Sequence, residues 1–185
     1  MMFPPKAKIE HDYALIDGKE GNDVYSQGYF GQLTKSGNLK LNPYETTLLL
    51  ERKRIESIDS DNNTLSLSQL VAHYSNIVPN FLIQYLLYKE LRGRGYVVKT
   101  YPSDGGYFEL YERGSSPKKV KHLALVVPMI EGKLFNIDDI DQIVNEASKL
   151  DRKLIFAVID SLGDVSYYSV SELEFKEINL TNEEK

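Results

Sequence analysis

Cysteine is absent from the 185 residues, which excludes disulfides, zinc–thiolate sites and a cysteine nucleophile. No apolar run approaches the roughly 20 residues of a membrane-spanning helix. The opening MMFPPKAKIEHDY lacks the apolar stretch of a signal peptide, so a soluble protein of the cytoplasm is expected. A basic excess is missing too: 22 Lys and Arg stand against 27 Asp and Glu, for a net charge of -5. That balance argues against a stand-alone nucleic-acid binder, whose domains carry a basic face. It suits a chain that holds a basic partner. Internal repeats and low-complexity tracts are also lacking. What is present, 42% hydrophobic residues, suffices for the core of one large domain or two small ones.

Punctuation divides the chain. Residues 1–10 read as a loose or edge-pairing arm, 13–16 as a short strand, and GKEGND (18–23) as a turn. Asn42 precedes Pro43, and Glu45 follows Asn42 by three residues, which together signal a helix start. Tyr44, Thr47, Leu48, Leu50 and Glu51 then carry a short amphipathic helix. The polar turn DSDNN (59–63) leads to TLSLSQLVAHYSN, whose leucines fit a short strand running into a helix. Pro79 marks a boundary, giving an amino-terminal unit of residues 1–76 and a carboxyl-terminal unit of residues 77–180.

Residues 84–114, QYLLYKELRGRGYVVKTYPSDGGYFELYERG, organise the second unit. Leu82, Tyr85, Leu86, Tyr88 and Leu91 recur at three- and four-residue spacing, predicting a helix with one apolar stripe. Arg92, Arg94 and two glycines close it, since cations suit a helix C-terminus and Gly its left-handed cap. A strand begins at Tyr96, Val97 and Val98, and a second covers residues 107–111. After the basic loop SSPKKVK, HLALVVPM reads as a strand buried on both faces. A helix starts near Ile137, with Ile140, Ile143, Val144 and Ala147 on the same face. Asp138 and Asp139 open it, and Lys149, Arg152 and Lys153 gather at its end, the polarity its dipole favours. LIFAVID and VSYYSV form two strands around SLGD, and the acidic tail EINLTNEEK frays. The fold class is α/β (α+β): a small mixed unit followed by a mixed sheet flanked by helices.

Two motifs, in this order, resemble the archaeal tRNA-splicing (tRNA-intron) endonucleases. YLLYKELRGRGYVVKT, followed by the Gly-Gly turn and FELYERG, is similar to that family's Y-x-x-Y-x-x-L-R-x-[KR]-G-Y-x-V-[KR]-[TS] and G-x-x-[YF]-G-x-D-F-x-x-Y-E-x-G. VYSQGYFG and LKLNPYETTLLLERKRIE are similar to its amino-terminal L-Y-x-x-G-[FY]-[YF]-G and L-x-L-S-x-x-E-A-x-Y-L-L-E-x-G-[KR]-[IL]. Thr46 replaces the usual Ala there, and Arg52 with Lys53 replaces the x-Gly. Tyr29 and Phe30 fall at architectural positions.

The resemblance implies cleavage of introns from precursor tRNA at bulge-helix-bulge sites, with neither metal nor cofactor. The ribose 2′-hydroxyl attacks, leaving a 2′,3′-cyclic phosphate and a 5′-hydroxyl. Such a reaction needs a base, an acid and a cation on the phosphorane, and the family supplies Tyr, His and Lys. Tyr111 stands at the Tyr position. Counting back from Pro128, Lys119 falls at the His position. His122 lies three residues later at the strand start, where an odd offset turns a side chain to the opposite face. Arg152 takes the Lys position with Lys153 beside it, and a guanidinium fork is not interchangeable with an ammonium. Asn145 replaces an Arg that grips the bulged RNA, and Tyr107 replaces the motif's Asp.

Loss on that scale implies a non-catalytic structural subunit of a heterotetramer, paired with a catalytic chain. Asp160 and Asp164 in IDSLGD resemble the family's acidic loop, which docks into a basic pocket on the other half of the assembly. Tyr167, Tyr168, Val170, Leu173 and Phe175 belong to a terminal strand resembling the one through which family subunits dimerise. Three other readings stay open. One is an active metal-independent RNase using Tyr111 with His122, Lys119 or Arg152. Another is a PD-(D/E)xK metal nuclease built on Asp104 and Glu109, which wants a Lys where Tyr111 stands. The third is a protein-interaction module outside tRNA processing.

Overall fold

The computed structural model describes residues 4–101, 106–120, 123–149 and 151–170. Among these residues, two mixed sheets and five helices make a mixed α/β fold. The first sheet contains β1 (Lys6–Ile9), β2 (Ala14–Ile16), β3 (Gln32–Leu33), β4 (Leu39–Leu41), β5 (Glu56–Ile58) and β6 (Thr64–Leu65), in the order β3-β4-β2-β1-β5-β6. Its helices are α1 (Gly18–Ser26), α2 (Pro43–Glu51) and α3 (Leu67–Ser75).

Two readings of this half need correction. The amino-terminal arm is no loose edge: β1 lies inside the sheet, antiparallel to β2 and parallel to β5, with Ala7 and Ile9 turned into the core. GKEGND is not a turn but the start of α1. Its glycine permits the helix: a Cβ at Gly21 would lie 2.8 Å from both the Ile16 oxygen and the Leu39 Cβ. Tertiary packing of Val24 against that floor outweighs poor helix propensity.

The helix expected after Asn42 is α2, and its start is a capping box. Asn42 accepts from the Glu45 amide at 2.8 Å while Glu45 Oε2 accepts from the Asn42 amide at 3.1 Å. It is not amphipathic, however. Pro43 and Tyr44 through Leu49 are all buried, because the sheet lies on one side and α3 and the next helix on the other. Its buried hydroxyls turn back on their own helix, Thr46 to the Asn42 carbonyl and Thr47 to that of Pro43, both at 2.8 Å.

That next helix, α4 (Phe81–Gly93), packs on α2 and α3 and also on the second sheet. The second sheet comprises β7 (Val97–Thr100), β8 (Phe108–Tyr111), β9 (Ala124–Ile130), β10 (Lys153–Ile159) and β11 (Val165–Val170), ordered β11-β10-β9-β8-β7. Only β9 and β10 pair in parallel, and α5 (Ile137–Lys149) makes the crossover between them. The apolar stripe of α4 differs from the expected one. Phe81, Tyr85, Leu87, Tyr88 and Leu91 are buried, whereas Leu82 is 51% exposed and Leu86 37%. A helix packed between two layers buries a face wider than a single stripe.

One hydrophobic cluster runs through both halves, from Ala7 to Ile159. At its centre the Tyr44 ring stacks on Phe81 (5.4 Å) and Tyr88 (5.9 Å) and meets Phe108 edge-on at 5.3 Å, joining α2, α4 and β8. A smaller cluster under α5, with Leu125, Val127, Ile143, Ala147 and Leu154, covers the other face of the second sheet. No helix among the described residues is long and apolar enough to cross a membrane.

Polar contacts repeat the connection between halves. Lys99 on β7 donates to Glu45 Oε1 at 2.9 Å and to the Gly31 carbonyl at 2.8 Å, with side-chain exposures of 13% for Lys99 and 2% for Glu45. Arg92 donates to the carbonyls of Gly28 (2.8 Å) and Tyr96 (3.1 Å) and lies 3.9 Å over the Phe30 ring. Lys99→Met leaves the Glu45 carboxylate buried without its cation, and should cost roughly 3–5 kcal/mol. Urea denaturation measures this; a loss below about 1 kcal/mol would equate the pair with a surface ion pair.

Candidate active site

Sheet direction gathers the sequence-predicted positions. The pairings Leu110 with Ala124 and Lys153 with Ala124 place the end of β8 beside the starts of β9 and β10. Tyr111 ends β8, Arg152 immediately precedes β10, and Lys119 lies in the loop before β9. All three therefore occur at one end of the second sheet. His122, Asp104 and Leu173 fall outside the described residues.

Alternation along β8 splits its faces. Phe108 and Leu110 join the large core, while Glu109 and Tyr111 point the other way. There the Tyr111 hydroxyl donates to Glu109 Oε2 at 2.7 Å, and Arg152 Nη1 approaches Glu109 Oε1 at 3.9 Å. The Arg152 amide, donating to the Ala147 carbonyl at 3.0 Å, ties that residue to the end of α5. Burial pushes the Tyr111 phenol well above its ordinary value, and the Glu109 carboxylate adds to the rise by accepting its hydrogen and repelling its phenolate. Arg152 opposes the rise only partly.

Lys119 stands apart. It is exposed, in a turn where its amide donates to the Ser116 carbonyl at 2.9 Å. The residue that sequence reasoning missed in this role is Glu109, considered there only as a metal ligand. Its signal was available, since an acidic residue two positions before a strand tyrosine shares that tyrosine's face. Nearby, Tyr101 donates to Glu146 on α5 at 2.5 Å. Among the described residues, no group of three or more acidic or His side chains is placed to hold a metal. Chemically, a phenol that donates to a carboxylate can relay its proton there while its oxygen takes another. The guanidinium faces the same carboxylate from the start of β10.

The hairpin tip between β10 and β11 is closed by its own acid. Asp160 Oδ1 accepts from the amides of Leu162 (2.8 Å) and Asp164 (2.9 Å). What the tip presents outward is Asp164 together with Leu162, which is 87% exposed. β11 forms the sheet edge, with Tyr167 turned inward to donate to Glu90 at 2.9 Å and Tyr168 58% exposed.

Comparison with known proteins agrees with this architecture. The family model for the tRNA intron endonuclease N-terminal domain matches residues 6–71, and that for the catalytic C-terminal domain matches residues 81–167. A tRNA-splicing endonuclease of Thermococcus onnurineus is 33% identical over 176 residues, covering 95% of this chain and 100% of that protein. One from Methanococcus maripaludis is 32% identical over 178 residues, covering 94% and 99%. A third, from Methanococcoides burtonii, is 29% identical over 171 residues, and the chain spans 47% of its length.

Glu109→Gln keeps an acceptor for the Tyr111 hydroxyl and removes the charge, so the phenol should titrate lower, closer to its ordinary value. NMR of ring-labelled tyrosine, assigned against Tyr111→Phe, reads this directly; an unchanged titration would mean that burial alone sets it. The sign carries into stability. A phenol raised in the folded state contributes stability that is complete below its unfolded value of about 10 and is lost as pH rises beyond it. The variant should therefore lose less stability than the native chain in that alkaline range.

Proposed function

The chain belongs to the tRNA-intron endonuclease family, and from that premise we propose that it serves as a non-catalytic structural subunit of a heteromeric tRNA-splicing endonuclease. The observation that carries the reading is the Glu109 carboxylate, which engages both Tyr111 and Arg152. A phosphorane needs a cation whose charge is available to it. Here the cation at the family's Lys position faces an acid of its own chain, and the family's His position holds an exposed Lys119.

In this reading the chain acts in the cytoplasm as a heterotetramer with a catalytic chain, meets precursor tRNA through that assembly, and requires no cofactor. The cut follows the family's metal-independent attack of the 2′-hydroxyl at bulge-helix-bulge sites. Assembly uses two surfaces: the hairpin tip, docking Asp164 into a basic pocket of the partner, and the β11 edge around Tyr168. Asp160 supports the first by shaping the tip. One observation favours a second reading, an active metal-independent nuclease. The hydrogen bond from Tyr111 to Glu109 gives the tyrosine an outlet for its proton.

The purified chain should leave a bulge-helix-bulge RNA intact without metal, and cleavage should appear on adding a catalytic subunit from the same cell. Cleavage by the chain alone, abolished by Tyr111→Phe, would establish the second reading instead.

Assembly is tested separately. Tyr168→Glu should yield a folded monomer by sedimentation. Asp164→Asn should weaken association with the catalytic chain, and added salt should mimic it because exposed charge pairs are screened. Normal assembly of both variants at low salt would remove these surfaces from the account.

A further inference from the structure

Four cationic side chains of this acidic chain, Arg54, Arg92, Arg113 and Lys118, gather with aromatic rings at one junction. Arg92, reaching from the end of α4 to Gly28, forms its floor, with Phe30 under the guanidinium at 3.9 Å. Arg54 lies over the same ring at 5.4 Å and donates to a neutral partner, Gln27 Oε1, at 2.6 Å. Aromatic side chains continue from there in two directions. Tyr29 meets Tyr25 edge-on at 5.7 Å, and Lys118 lies 5.4 Å over the Tyr25 ring. On the other side Arg92 donates to the Tyr96 carbonyl, and Arg113 lies 5.3 Å over the Tyr96 ring.

Arg113 and Lys118 belong to one loop, the segment that leaves β8 after Tyr111, so the two arms close into a ring. None of Arg54, Arg92, Arg113 and Lys118 has an ion-pair partner among the described residues. Arg113 and Lys118 are exposed, and the rings of Tyr25, Tyr29 and Tyr96 are half-buried, each keeping some surface in water. Arg54 is correspondingly destabilised as a cation: burial lowers its affinity for its proton, and Arg52 and Arg92 lower it further.

We propose that this junction is an RNA-binding surface, in which Arg54, Arg113 and Lys118 take phosphates and Tyr25, Tyr29 and Tyr96 offer faces to unpaired bases. Cations without acidic partners, interleaved with partly exposed aromatic rings, form the combination that single-stranded nucleic acid requires. An acidic protein segment would use the charges and have no need of three rings. The position also fits, because the loop carrying Arg113 and Lys118 begins at Tyr111 and ends at β9. The pairing of Val97 with Tyr111 also brings Tyr96 to the same end of the second sheet as the candidate active site. The proposal takes from the preceding section only that the assembly handles RNA, and it assigns this chain a direct share in holding it.

The test is binding of the full chain to a fluorescent bulge-helix-bulge RNA whose cleavage sites carry 2′-deoxyribose, followed by anisotropy across a KCl series. A fully paired RNA of equal length serves as the second probe. Arg113→Gln with Lys118→Gln should weaken binding to the bulged probe roughly tenfold at low salt, and flatten the salt dependence by about two phosphate contacts. Lys133→Gln, exposed and beyond the opposite end of β9 from the loop that carries Arg113 and Lys118, should change neither. Preference for the bulged probe should fall in Tyr96→Leu, which leaves the charges in place. Unchanged affinity and salt dependence in the Arg113 and Lys118 double variant would overturn the proposal. So would a variant that binds RNA normally but loses association with the catalytic chain, since that would make the junction a protein contact. The bulged probe lacks the attacking 2′-hydroxyls and the paired probe lacks the bulges, so the result is independent of whether the chain is catalytic.

Discussion

A single buried carboxylate, that of Glu45, holds the molecule's three parts in register. It caps α2 through the Asn42 amide, accepts the Gly31 amide at 2.8 Å, and receives Lys99 from the second sheet at 2.9 Å. Each contact alone is an ordinary one. Together they fix a helix start, a glycine loop and a strand from the other half around one charge that is 2% exposed. A buried charge is tolerated only when its lone pairs are satisfied and its counterion is held in place. The loop's shape follows from this, because Gly31, at φ +70°, has the Lys40 carbonyl 2.5 Å from where a Cβ would stand.

From that anchor the path to the candidate site is short. Lys99 pairs across the sheet with Glu109, so the strand tied to Glu45 also sets the register of the strand carrying Glu109 and Tyr111. A one-residue slip there would exchange Tyr111 for Leu110 on the site face and bury the phenol in the large core. The same register places β10 so that Arg152 reaches Glu109. Position, more than any unusual backbone, makes the constellation.

Much of this was readable from residue order. The capping box at Asn42 and Glu45, the two-residue alternation of β8, the both-face burial of β9 and the hairpin around SLGD all follow from local chemistry, and the fold has them where that chemistry puts them. Departures occurred where a neighbour distant in sequence decided the outcome. GKEGND folds as helix because Leu39 and Ile16 offer Gly21 a close seat. Leu82 and Leu86 lie outside the core because α4 is packed on two sides and its buried arc is rotated to include Leu87. The cation–aromatic junction was invisible for the same reason, its members being spread from Tyr25 to Lys118.

The second sheet separates two kinds of selection pressure. One face presses on the large shared core; the other carries the site residues over a smaller cluster beneath α5. Glu109, Tyr111 and Arg152 can therefore be exchanged without disturbing the aromatic junction around Tyr44. A scaffold arranged in this way can shed its chemistry and keep its shape.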